Sequence, residues 1–249
     1  MILKKILEMI YCRLLNKPKK VYLNEKVFLM KYDFILNSIN EGRWEKEIFQ
    51  YLDDYLKPKD IFVDVGAWNG VISFYASKIC KQCFSVEPDT KAIEWFKENI
   101  RLNKSKNIIL NEFGFANHNG RVKLYSPSFG KSISSVFQNK GFMKEEWIKV
   151  KTFQEFLNIN KINKIDFIKM DIEGAEFEIF PTMIKYCNKY KPKLFVSLHL
   201  KKEIEDKKIS NTIELFKIYS SFIVENEIMN FKEIKNKILK KEPFDVLCK

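Results

Sequence analysis

The chain predicts an α/β protein with helices on both faces of a mostly parallel sheet, and three observations carry that prediction. Ile61-Phe62-Val63-Asp64-Val65 is a short apolar, β-branched run of the kind that fills a buried parallel strand. It runs into Gly66-Ala67-Trp68-Asn69-Gly70, whose glycines allow a tight turn before a helical segment opens at Val71. Further apolar runs then alternate with helical stretches, the pattern of parallel strands joined by crossover helices. Strands are expected near 61–65, 83–87, 107–113, 165–170 and 193–199, with helices near 70–79, 89–102, 175–188 and 202–218. Upstream lie a hairpin-like stretch near Lys20 to Asp33 and a helix around Glu41 to Leu56. Phe222 to Asn226 and Phe244 to Cys248 are candidates for a closing hairpin, which makes the sheet seven-stranded. Tyr125 to Trp147, rich in Ser and Gly, reads as a long loop interrupting the sheet. The simplest division is an N-terminal extension over 1–40 and one α/β domain over 41–249.

Composition narrows the class. With 249 residues and 46% hydrophobic content the chain can bury a sizeable core unaided. Its five scattered cysteines do not form a secreted disulfide framework, which points to a reducing cytosol. Cys80-Lys81-Gln82-Cys83 has a zinc-like spacing, but no second pair or nearby His completes a site. The formal charge is +12, from 44 Lys and Arg against 32 Asp and Glu. The positive residues are mostly Lys and spread along the chain, as on a solvated surface, and no aromatic-interleaved RNA-binding module is visible, so no nucleic-acid partner is expected. Residues 1–15 alternate apolar and charged positions at helical spacing before the basic Lys17 to Lys20. Broken by Glu8 and lacking a cleavage site, that segment reads as neither a signal peptide nor a membrane span. Covering the core or a dimer partner is the commoner use of such a helix. Peripheral contact of residues 1–20 with an anionic membrane, at its inner face, is the other.

The turn after the first strand reads as a nucleoside site. A second apolar strand ends in Glu87, followed by Pro88, and an acidic residue roughly 20 positions after such a turn accepts hydrogen bonds from ribose hydroxyls. A dinucleotide fingerprint uses three glycines, whereas here there are only Gly66 and Gly70. Asp64 before the first glycine would repel a phosphate but suits a ligand carrying ammonium and sulfonium groups. S-adenosyl-L-methionine therefore fits better than NAD, and a nicotinamide oxidoreductase is disfavoured.

A later strand, Ile165 to Met170, runs into Asp171-Ile172-Glu173-Gly174-Ala175-Glu176. Together with Val63-Asp64-Val65-Gly66-Ala67 and Glu87-Pro88, the pattern Lys169-x-Asp171-x-Glu173-Gly174-x-Glu176 resembles the FkbM family of S-adenosylmethionine-dependent methyltransferases. The similarity runs from about Trp44 to His199, and Trp44-Glu45 resembles the Glu-containing lead-in of that family. Two departures stand out. The family turn Gly-Ala-Asn-x-Gly reads Gly66-Ala67-Trp68-Asn69-Gly70 here, which displaces the Asn by one. The late strand carries Ser197-Leu198-His199 where relatives often carry Glu-x-His. The resemblance implies a Rossmann-like class I methyltransferase fold. It also implies O-methylation of a hydroxyl, often on a sugar of a surface polysaccharide, glycolipid or secondary metabolite, carried out in the cytoplasm.

Position along the sheet then assigns roles, because ligands of such sheets lie across the carboxyl ends of the strands. Asp64, Gly66, Ala67, Trp68, Asn69 and Gly70 are expected at the methionine end, Glu87 and Pro88 at the ribose, and Glu112 and Phe113 at the adenine. Lys169, Asp171, Glu173 and His199 form the expected acceptor side, with neutral His199 as general base oriented by Asp171. Glu176 caps or orients the following helix. Asp171 and Glu173 could hold a divalent cation through oxygen ligands, but two carboxylates beside Lys169 do not make a convincing site, so no metal ligand is assigned and metal dependence stays open. Neither an Asn/Asp-Pro-Pro-aromatic signature nor a Cys follows the strand at 165–170, which favours an oxygen acceptor over a nucleobase amine or a pyrimidine ring. An RNA methyltransferase is the alternative.

Overall fold

The computed structural model describes residues 18–31, 36–126 and 144–249. The amphipathic segment 1–15 therefore lies outside the described residues. In chain order the elements are β1 (Lys19–Leu23), β2 (Lys26–Met30), α1 (Leu36–Asn40), α2 (Lys46–Tyr55), β3 (Ile61–Val65), α3 (Val71–Ser77), β4 (Gln82–Val86) and α4 (Thr90–Asn103). Then come β5 (Ile108–Asn111), β6 (Gly114–Phe115), β7 (Gly120–Ser126), β8 (Lys144–Lys151), α5 (Phe153–Ile159), β9 (Phe167–Met170) and α6 (Glu176–Tyr190). The chain closes with β10 (Lys193–Leu198), α7 (Asp206–Phe216), β11 (Phe222–Val224), β12 (Glu227–Met229), α8 (Phe231–Leu239) and β13 (Phe244–Cys248).

The central sheet has the order β12-β11-β13-β10-β9-β3-β4-β5. β3, β4, β5, β9 and β10 run parallel, and β13 enters antiparallel between β10 and β11. The α/β class is as the sequence predicts. The sheet has eight strands rather than seven because β12 folds back on β11 at one edge. β11 and β13 are neighbours, as expected, but they are not a simple hairpin, since β12 and α8 lie between them in sequence.

Period-two alternation explains how a fully buried sheet serves two layers of helices. Phe62, Phe167 and Phe195 point into one core with α2, α3 and α4, against Phe49, Tyr51, Phe74 and Phe96. Val63, Val65, Ile168, Met170 and Val196 point into the other, with α5 to α8, against Phe156, Phe180 and Phe216. The β1–β2 hairpin sends Val21, Phe28 and Met30 into the first of these cores, so the N-terminal extension packs on the domain through these residues.

The stretch read as a loop from Tyr125 to Trp147 is in part an antiparallel pair. Tyr125 faces Glu145 and Lys123 faces Trp147 across β7 and β8, which join β6 in a three-stranded sheet beside the main one. The Ser- and Gly-rich residues between them, 127–143, lie outside the described residues. No helix among the described residues is long and apolar enough to cross a membrane.

Candidate active site

The chain leaves β3 for β4 on one side and returns to β9 on the other, so a cleft opens at the carboxyl ends of β3 and β9. Two cavities meet there, and Glu45 lines both.

The first cavity lies over the turn after β3. Gly66 (φ +77°) and Gly70 (φ +94°) adopt left-handed backbone that L side chains rarely reach. A Cβ on Gly66 would overlap the Asp171 carbonyl oxygen, and one on Gly70 would overlap the Phe96 ring. Gly66, Ala67, Trp68, Glu87, Pro88, Gly114, Phe115, Lys169, Asp171 and Glu173 are among its lining residues. Glu87, buried at the end of β4, accepts hydrogen bonds from Trp68 N (2.7 Å) and Asp89 N (2.8 Å). Burial pushes its carboxyl up to about 7, against the pull of those two amide donors.

Beneath the turn lies a charge pair that register dictates. β3 and β9 pair Asp64 with Lys169, which places both side chains on one face. The Lys169 ammonium is 3.7 Å from Asp64 Oδ1 and 3.9 Å from Asp171 Oδ2, and it donates to the Gly66 carbonyl at 3.2 Å. Burial alone would pull its pKa down. The carboxylates of Asp171, Asp64, Glu45 and Glu87 outweigh it, and Lys169 stays charged above its ordinary value. Asp64 is fully buried and its Oδ2 accepts from Ser73 Oγ at 2.6 Å, so it supports the turn from below and does not line the cavity.

Other expected residues also lie off the cavity. Asn69 is 2% exposed and neither lines it nor caps α3, whose N-cap is Gly70; its backbone oxygen accepts from Asn99 Nδ2 at 3.0 Å. Glu112 pairs with Lys97 at 2.7 Å, both side chains about half exposed, and Phe113 is buried with its ring 6.5 Å from that of Phe115. The wall expected from Glu112 and Phe113 is built two residues later by Gly114 and Phe115, because β6 begins there and turns the chain back under Pro88.

The second cavity, about 520 Å³, is an open groove lined by Glu45, Lys46, Glu47, Phe195, Ser197, His199, Glu225, Phe244 and Asp245, among others. His199 follows β10. Its Nδ1 lies 3.2 Å from Glu176 Oε1, and its Nε2 lies 3.6 Å from Asp171 Oδ1 and 3.5 Å from Glu173 Oε2. Burial works against a charged ring, but Glu176, Asp171 and Glu173 outweigh it and push His199 up to about 9. That corrects the expectation of a neutral general base, because three carboxylates keep the ring an imidazolium at neutral pH. Glu176, fully buried, also accepts from His199 N and Gly174 N, both at 2.8 Å, so it ties the loop after β9 to the end of β10. It does not cap its helix, whose N-cap is Ala175, and braces the two loops instead.

Sequence reasoning placed Glu45 only in a lead-in segment. It sits just before α2 with left-handed backbone (φ 42°), and its enclosed carboxyl is pushed up to about 8 by burial. Lys169 opposes that shift, while Asp171, Asp245 and Asp64 add to it. An acidic residue beside a Trp at a helix start gives too weak a signal to find it by.

A model of the methyltransferase FkbM domain matches residues 64–238, which spans the turn, both strand-end clusters and His199. The chain belongs to the FkbM methyltransferase family. A solved FkbM methyltransferase from Methylobacillus flagellatus KT shares the fold, with a TM-score of 0.50 and 16% identity over 86% of this chain and 54% of that one. A ribosomal protein L11 methyltransferase of Listeria innocua is 44% identical over 59 residues, 23% of this chain and 19% of its own length. The chain thus spans about a fifth of the length of the curated relatives it matches. An rRNA methylase from Streptococcus thermophilus overlays with a TM-score of 0.46 and 12% identity, covering 81% of this chain and 93% of that one.

S-adenosylmethionine is the methyl donor of this FkbM domain, and the first cavity fits it on its own chemistry. The turn offers bare backbone where any side chain at Gly66 would collide, and Glu87 stands where ribose hydroxyls need acceptors. Glu45, Asp171 and Glu173 suit a cationic ligand and oppose a pyrophosphate.

Proposed function

We propose that the chain is an S-adenosylmethionine-dependent O-methyltransferase acting in the cytoplasm on a sugar hydroxyl of a surface polysaccharide, glycolipid or related precursor. The composition of the second groove carries this reading. Glu45, Glu47, Glu225 and Asp245 offer carboxyl groups that hydrogen-bond hydroxyls, and the partly exposed Phe244 offers apolar ring surface to the C–H face of a sugar. With Glu45 mostly protonated at neutral pH, Glu47, Glu225 and Asp245 still outnumber Lys46 and the His199 imidazolium, so the groove carries no net positive charge inside a chain of net charge +12. Such a lining disfavours the phosphates of RNA and suits a neutral polyhydroxylated acceptor.

When bound, the donor supplies a methyl group activated by its sulfonium; a C–O bond forms as the C–S bond breaks and the electron pair stays on sulfur. Glu87 and the Gly66–Trp68 turn hold the nucleoside part, and Glu45, Asp171 and Lys169 set the charge around its methionine part. Glu45, shared by both cavities and with its pKa near the working pH, takes the hydroxyl proton on its carboxylate. Glu176 fixes the His199 ring through Nδ1 at the border of the groove. Alignment of the acceptor oxygen behind the methyl carbon supplies much of the rate.

The test offers S-adenosylmethionine carrying a labelled methyl group with neutral glycans, acidic glycans and ribosomal RNA. Label on a neutral glycan hydroxyl is the expected outcome. Label on RNA or on nitrogen would overturn the proposal.

A further inference from the structure

We infer that Asp171, Glu173 and His199 form a binding site for one divalent cation of the Mn2+ type at the border between the two cavities. One ligand atom from each of the three lies within 4.8 Å of the others. His199 Nε2 stands 3.5 Å from Glu173 Oε2 and 3.6 Å from Asp171 Oδ1. Both separations exceed the roughly 2.7–3.2 Å of an N–H···O hydrogen bond. They approach the roughly 3.0–3.5 Å between neighbouring ligand atoms around a cation bonded at about 2.1 Å. The gap thus suits a shared ion better than a direct hydrogen bond.

The carboxylates that keep the ring protonated in the empty site also attract a cation, which takes the place of the Nε2 proton as it binds and releases that proton to solvent. Glu176, fully buried, holds the other ring nitrogen at 3.2 Å and the His199 backbone N–H at 2.8 Å, which fixes the ring with Nε2 toward the two carboxylates. A carboxylate behind the ligating His is the usual outer support of a metal site. The same Glu176 holds Gly174 N, next to Glu173, so ligands on two strand ends are braced by one group. All three ligand residues are partly exposed, which leaves coordination positions open toward the groove. Two carboxylates with one imidazole favour Mn2+ over Mg2+ or Ca2+, which prefer oxygen donors alone, and over soft thiophilic ions.

This use of the site rests on the transferase reading above. A cation there would take the acceptor hydroxyl as a further ligand beside the Asp171 and Glu173 walls of the cofactor cavity, and would ease loss of its proton toward Glu45. The sequence alone gave two carboxylates and no metal. His199, 26 positions beyond Glu173, was expected beside them as a base, and the fold sets its ring nitrogen among their oxygens as a third ligand.

The experiment titrates the full, metal-stripped chain with Mn2+, following loss of the free-ion electron paramagnetic resonance signal. S-adenosylhomocysteine binding is measured by calorimetry on the same samples. One Mn2+ per chain is expected, weakened at least tenfold by His199→Ala and by Glu173→Gln, and about tenfold by Glu176→Gln. A circular dichroism spectrum and thermal unfolding midpoint like those of the unsubstituted chain show that each variant has folded. No stoichiometric Mn2+ binding at millimolar ion, or binding that neither ligand variant weakens, would overturn the site. Mn2+ bound in that pattern without S-adenosylhomocysteine binding would uphold the site and remove the transferase reading instead.

Discussion

The two cavities that meet at Glu45 are built by opposite means. The cofactor cavity rests on consecutive residues of one turn and on strand ends fixed by the register of a parallel sheet, with its floor made of backbone. The acceptor groove is assembled from side chains of four separate segments: the start of α2, the end of β10, the turn at Glu225 and the start of β13. The first can change little without disturbing the fold, whereas the second can exchange side chains one at a time. Recognition of the donor is therefore compact in sequence, and choice of the acceptor is dispersed.

Substitutions can break that contrast, and the largest effect is expected at the shared backbone. Gly66→Ala pushes a Cβ into the Asp171 carbonyl from left-handed backbone, and should cost about 4 kcal/mol or leave no folded protein, read by thermal unfolding. Lys169→Met strips Asp64 and Asp171 of their cation and should cost about 3 kcal/mol in denaturant unfolding; a loss below about 1 kcal/mol would mean that the pair is replaceable. Glu45→Gln belongs to the border. It should lower kcat by at least about 100-fold, with a smaller loss of cofactor affinity. Because a base acts only when deprotonated, wild-type kcat should rise with pH through about 8 and level off above, and the variant should lose that limb.

Within the cofactor cavity, Glu87 sharpens the comparison. Its carboxyl is held up to about 7 by burial, and the ribose needs the ionised form. S-adenosylhomocysteine affinity should thus fall as pH drops below about 7 and be flat above, while Glu87→Gln should bind about tenfold more weakly with no such slope. The smallest effect is expected from Glu112→Ala, on an exposed ion pair outside the cavity: less than about 0.5 kcal/mol in stability and an unchanged cofactor affinity.

Much of the fold was legible because buried parallel strands leave unbroken apolar runs and crossover helices leave periodic ones. Ile61–Val65 and Lys193–Leu198 were found almost to the residue on those grounds. β8 was missed although Ile148 and Val150 alternate inward, because charged residues fill its outer face and its neighbours are rich in Ser and Gly. In the site, Glu87, Lys169, Asp171 and His199 were legible as polar ends of apolar strands. Their charge states were not, because the three carboxylates around His199 come from the loop after β9 and from α6 and meet the ring only in the folded chain. Asn69 and Glu112 misled for the opposite reason: adjacency in sequence to the cavity wall does not give a side chain its direction.

The contact between Gly66 and the Asp171 carbonyl has a mechanical meaning. With no room for even a methyl group between them, and with the Asp171 N–H bonded to the Val65 carbonyl at 3.0 Å, the donor-binding turn and the loop after β9 are tied together. Any movement that admits or releases a ligand at one must carry the other as the same rigid piece. The compliance of the cleft then belongs to its far rims, and the distance over which a methyl group must travel is set by the backbone itself.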